Sequence, residues 1–227
     1  MLLGWLPVVF PIALDLFVLY FLFRGPRRSF PFVIVFCVIQ ILVTCANVGS
    51  FLLAGTAQNR HLYLEIFWTG DLIAHAAISL LIVSLIWQTL EANQARKVTV
   101  ALIAAGLLGF AIASAYVFHA PQLSRWMTPL SRNLSFCEEI LNLILWSILL
   151  KSKASNYLLL MVSAGIGVQV TGEVIGHTLR LYTGPSTVWV PNTLVYISEI
   201  VCLCIWIWAF RAAATAKSLN RLRHDTF

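Results

Sequence analysis

Six carboxylates, Asp15, Asp71, Glu138, Glu139, Glu173 and Glu199, lie inside long apolar stretches, and no lysine accompanies them there. An acidic side chain in hydrocarbon costs about 2.5–3.5 kcal/mol on insertion scales, so it marks a pathway or a site by default. Gln169, Glu173 and His177 recur every four residues, and Asp71 and His75 have the same spacing. On a helix that spacing stacks side chains on one face. Arg132, Ser135, Glu139 and Asn142 form another polar row, Asn192, Tyr196 and Glu199 a third, and Gln40, Thr44 and Asn47 a fourth. Carboxylates with imidazoles bind protons, metal ions or organic amines, and a buried carboxylic acid is a competent general acid. The expected ligand-binding set is Asp71, His75, Glu139, Gln169, Glu173, His177 and Glu199; no residue is assigned a catalytic role.

The elements that must position these groups are membrane helices. The chain has 227 residues, 60% of them apolar and 11% charged, which excludes an ordinary soluble domain. Apolar runs of about 20 residues cross the hydrocarbon core as helices. Runs at 3–23, 31–55, 62–90, 98–118, 129–150, 156–181 and 191–211 predict an all-α, polytopic bundle of seven transmembrane helices over residues 1–211. A short basic tail, 212–227, follows. Arg24, Arg27, Arg28, Arg96, Lys97, Lys151, Lys153, Arg211, Lys217, Arg221 and Arg223 flank one side, against Arg60, Arg125, Arg132 and Arg180 on the other. The positive-inside rule then predicts the N-terminus out and the C-terminus in. The net charge of +6 reads as attraction to anionic lipid headgroups, so membrane lipids are expected partners and nucleic acid is not. Arginines follow the first apolar run instead of preceding it, which predicts a retained helix and not a cleaved signal.

Counted at about 1.5 Å per residue from the outer helix ends, Asp71, Glu138, Glu139, Glu173 and Glu199 fall roughly 12–17 Å deep, with Asp15 a little deeper. His177 falls at roughly 7 Å and His75 at roughly 17–20 Å, an offset that predicts the two histidines do not share one ion or haem. With no HExxH motif and no histidine-rich set, neither a metal nor a cofactor is expected. A retinal Schiff base needs a membrane lysine, and Lys97, Lys151, Lys153 and Lys217 all fall at or beyond helix ends. The five cysteines read as packing thiols. Ala105, Gly109 and Ala113 in the fourth span, and Ser163, Gly167, Gly172 and Gly176 in the sixth, predict close helix packing. The segment Thr69-Gly70-Asp71-Leu72-Ile73-Ala74-His75 echoes Thr171-Gly172-Glu173-Val174-Ile175-Gly176-His177. So short a match reads as convergent packing more than as an inverted repeat.

The run Tyr63-Leu64-Glu65-Ile66-Phe67-Trp68 with Asp71, then Arg132-Asn133-Leu134-Ser135 and Gly165-Ile166-Gly167, resembles a bacterial group of small, uncharacterised seven-helix inner-membrane proteins. Asp71 stands where that group usually carries glutamate. The resemblance implies a multi-pass protein of the cell inner membrane and carries no assigned activity. The expected function is receptor-like or accessory: an outward-facing acidic pocket for a small cationic or amphiphilic ligand, with a protein partner at the cytoplasmic face. A proton or cation transporter is the alternative. The third possibility is an intramembrane enzyme using Glu139, Glu173 or Glu199 as a buried acid.

Overall fold

In lipid every backbone N–H and C=O must be satisfied within the chain, and apolar runs of this length do so as helices. A computed structural model describes residues 6–53, 60–90, 123–151, 157–184 and 186–224, with residues 101, 103, 106 and 108. Side chains are described at those four positions and over 9–53, 62–90, 127–151, 157–184 and 186–216. Among the described residues six long helices follow in order: α1 (Leu6–Arg24), α2 (Pro31–Leu53), α3 (Arg60–Thr89), α4 (Leu123–Lys151), α5 (Tyr157–Tyr182) and α6 (Trp189–His224). Five of them, α2 to α6, are long and apolar enough to cross a membrane. By helix composition this is an integral membrane protein. Most of the expected fourth span, 98–118, including Ala105, Gly109 and Ala113, lies outside the described residues.

Each helix packs on its neighbour in chain order, and α1 closes against α6, so the six form a ring. Contacts give the directions. Phe51 meets Tyr63 in α2 and α3, Asn142 meets Ser163 in α4 and α5, and Gly172 faces Ser198 in α5 and α6. With Val43 beside Gly70, Ser135 beside Glu173 and Cys202 beside Gly165, each of these pairs is antiparallel. By contrast, α3 and α4 run parallel, since Asp71 bonds Ser131 and Ser79 bonds Glu138.

The large apolar core fills one end of the ring. It is built from Leu22, Phe36, Ile82, Ile86, Leu145, Ile166, Trp206 and Phe210, all at most 1% exposed. A small cluster of Trp68, Met127 and Leu130 sits toward the other end. Leu42, Phe51, Leu52, Leu80, Leu150 and Trp208 are exposed on the outer surface, which is compatible with lipid contact. The expected tail at 212–227 is not a separate element at its start, because α6 continues without a break to His224.

Glycines set the α5–α6 spacing. A Cβ at Gly172 would fall on the Ser198 side chain, one at Gly165 on the Trp206 ring, and one at Gly176 on Val195. Small residues allow such backbone approach in membranes, where dispersion and not water expulsion drives association. Gly172→Val is expected to lower stability by about 1–3 kcal/mol, the usual overpacking cost, in thermal unfolding of detergent-purified protein.

Candidate functional site

Above the apolar core, α2, α3, α5 and α6 enclose a polar cavity of about 240 Å³. Gln40, Thr44 and Asn47 reach it from α2, Asp71 and His75 from α3, Gln169, Glu173, His177 and Arg180 from α5, and Val195 and Glu199 from α6. Phe36 and Ile78 also line it, and both belong to the buried core. Six of the seven expected ligand-binding residues therefore share one cavity: Asp71, His75, Gln169, Glu173, His177 and Glu199. The heptad-like spacing of each helix is what turns these side chains inward together.

Glu139 is the exception. It is half-buried, does not line the cavity, and has an Oε2 atom buried without a hydrogen-bond partner. Its neighbour Glu138 takes the inward position and is fully buried. The buried row of α4 is Ser131, Ser135, Glu138 and Asn142; it keeps Ser135 and Asn142 of the expected row and takes Ser131 and Glu138 in place of Arg132 and Glu139. A helix advances 100° per residue, so adjacent glutamates cannot share a face, and packing chose the first.

Glu138 organises the wall behind the cavity. His75 Nδ1 donates to its carboxylate, 3.2 Å from Oε2 and 3.3 Å from Oε1, while Ser79 donates to Oε1 at 3.0 Å. The other His75 nitrogen, Nε2, lies 3.8 Å from Asp71 Oδ2 on the same helix. Asp71 in turn accepts a short hydrogen bond from Ser131. Gln169 donates to Glu173 Oε1 at 3.1 Å, and Ser135 Oγ lies 3.4 Å from Glu173 Oε2. On the far wall, Arg180 Nη1 donates to His177 Nδ1 at 3.3 Å, and its Nε donates to Asn192 at 2.8 Å. Arg180 thus orients the ring of His177 and leaves Nε2 as its protonated nitrogen.

The imidazoles of His75 and His177 stand with ring centroids 6.3 Å apart. The depth offset expected between them is therefore wrong. Counting residues from helix ends treated those ends as level, but helices longer than the bilayer need not end at one height. The two echoing segments face each other across this cavity. Gly70 lets α3 approach Val43 of α2, as Gly172 lets α5 approach Ser198 of α6.

Sequence reasoning passed over Ser79, Ser131 and Glu138 as site residues. The two serines are common helix residues with no signal of their own. The four-residue step from Ser131 to Ser135 and the seven-residue step to Glu138 could have indicated the inward row. Asp15 of α1 is 2% exposed, faces Glu199 and Cys37, and has one oxygen without a hydrogen-bond partner. It places a further buried carboxyl behind the α6 wall. Comparison with protein-family models, with curated proteins and with solved structures finds no match to this chain.

Proposed function

We propose that this protein is a receptor-like or accessory membrane protein whose cavity binds a small cation. One observation carries this. Asp71, Glu173 and Glu199 line the cavity with two histidines, and Arg180 is the one fixed positive charge among its described lining residues. Carboxylates withdrawn from water are stabilised by a matching cation, and a polar, hydrogen-bonding wall selects its position. The volume of about 240 Å³ suits a metal ion with water, a small amine or the headgroup of an amphiphile.

The apolar core favours binding over passage. Phe36, Ile82, Leu145, Ile166 and Trp206 fill the ring at one end of the cavity; the buried Asn142–Ser163 pair lies beside them, and Ile86, Leu149 and Phe210 continue the apolar packing. A proton or cation transporter needs a polar relay through the bundle. Seven spans with the N-terminus out complete the proposed topology. Parallel α3 and α4 are compatible with it. With that orientation the cavity opens outward, the apolar core faces the cytoplasm of a cell whose inner membrane holds the protein, and the basic end of α6 meets the partner that relays occupancy.

The test is thermal unfolding of the purified chain, titrated with choline, putrescine, Zn²⁺ and Mn²⁺. A ligand at about 100 times its Kd raises stability by about 2.7 kcal/mol. At least one of these cations is expected to stabilise the wild type, and Glu173→Gln is expected to weaken its binding about tenfold or more. No stabilisation by any cation, or stabilisation unchanged by Glu173→Gln, rejects the cavity as a cation site.

A further inference from the structure

We propose that the cation is a divalent transition metal ion of the Zn²⁺ or Mn²⁺ type, held by His75, Glu138 and Glu173. This rests on the cation-binding role proposed above and assigns its ligand class. One atom from each of the three residues lies within 4.8 Å of the others. They come from three different helices, α3, α4 and α5, so the site exists only in the folded bundle.

The distances suit a metal. Zinc bound to nitrogen and oxygen at about 2.0–2.2 Å in a tetrahedron separates its ligands by about 3.3–3.5 Å. His75 Nδ1 and Glu138 Oε2 are 3.2 Å apart, with a proton now bridging them. A metal ion entering there replaces that proton, as binding to imidazole requires. Glu173 supplies the third ligand atom, within 4.8 Å of the other two, and lines the cavity, so the site borders open space on that side.

The surrounding groups orient these ligands. Asp71 approaches the remaining nitrogen of His75, the arrangement in which a carboxylate fixes a metal-bound imidazole. Ser79 holds Glu138, and Gln169 holds Glu173. Each ligand thus has a partner of its own before a metal arrives.

The charges of the three ligands match a divalent ion. A divalent ion with a neutral histidine and two carboxylates is neutral. Buried ionic groups at membrane depth are tolerated when balanced in this way. One nitrogen and two carboxylate oxygens suit zinc and manganese, and carry none of the thiolate that selects copper(I) or iron–sulfur clusters.

The experiment titrates Zn²⁺ and Mn²⁺ into detergent-purified full-length protein stripped with chelator, reading thermal stability and metal content, with choline and putrescine in parallel. One ion per chain is expected, with affinity lowered about 100-fold or more in His75→Asn and Glu138→Gln and about 10–100-fold in Asp71→Asn. Glu139→Gln, altering the adjacent carboxylate off the cavity, is expected to leave affinity unchanged. X-ray absorption of the zinc-loaded wild type gives a readout independent of variant folding: one imidazole and oxygen ligands are expected, without sulfur. Sulfur or two imidazoles in the shell, or affinity unchanged in His75→Asn, overturns the assignment. Stabilisation by the amines with none by Zn²⁺ or Mn²⁺ overturns the metal and leaves the cation-binding role standing. Stabilisation by neither overturns both.

Discussion

His75→Ala, measured in the presence of chelator, is expected to destabilise the folded protein by about 3–5 kcal/mol. The loss is not that of a hydrogen bond alone. Hydrogen bonds between membrane helices average only about 0.6 kcal/mol, because the unfolded chain in lipid finds other partners. The larger cost comes from Glu138, which has no exposed surface and would keep only Ser79 as a partner. Asp71 would also lose its neighbour at 3.8 Å. Replacing both members of the pair, His75→Leu with Glu138→Leu, is expected to recover most of the loss, since no buried polar group is then left unmatched. A double-mutant cycle in thermal or denaturant unfolding checks this. Additive single costs, with no recovery in the double variant, would show that the two side chains do not depend on each other.

Trp206→Ala is expected to cost about 3–5 kcal/mol by a different route, the cavity left by a large buried ring. Trp206 is fully buried, donates from Nε1 to the Val162 carbonyl at 3.0 Å, and packs edge-on against Phe36 at 5.7 Å between centroids. Its ring also occupies the space that a side chain at Gly165 would need. No water leaves when helices associate in lipid, so this ring stabilises the bundle by contact and not by hydrophobic transfer. Trp206→Phe should retain most of that contact and lose about 1 kcal/mol for the hydrogen bond. Equal costs for the two substitutions in unfolding experiments would contradict this account. Because Phe36 lines the cavity, loosening Trp206 also removes support from the apolar end of the binding site.

Much of the site was legible because helices impose a fixed period. Asp71 with His75, and Gln169 with Glu173 and His177, share faces by spacing alone, and all five reach one cavity. Gln40, Thr44 and Asn47 follow the same rule on α2. The period could not choose between Glu138 and Glu139, since adjacent residues are equally compatible with an inward row until a neighbour is known. Ser79 and Ser131 enter the site through α3 and α4 lying parallel and in register, a relation between helices far apart in the chain.

Composition and run length establish a helical membrane protein, because the bilayer admits few other ways to satisfy a backbone. They also establish that acidic groups are carried within it. The tertiary structure alone decided which of those groups meet. Relative height and rotation of helices are set by side-chain contacts across the ring, above all the glycine approaches of α5 to α6 and the packing of Trp206 on Phe36. Those contacts brought His75 and His177 to 6.3 Å and placed Glu138 between His75 and Ser79. No count of residues along one helix contains that information, because it is a property of pairs.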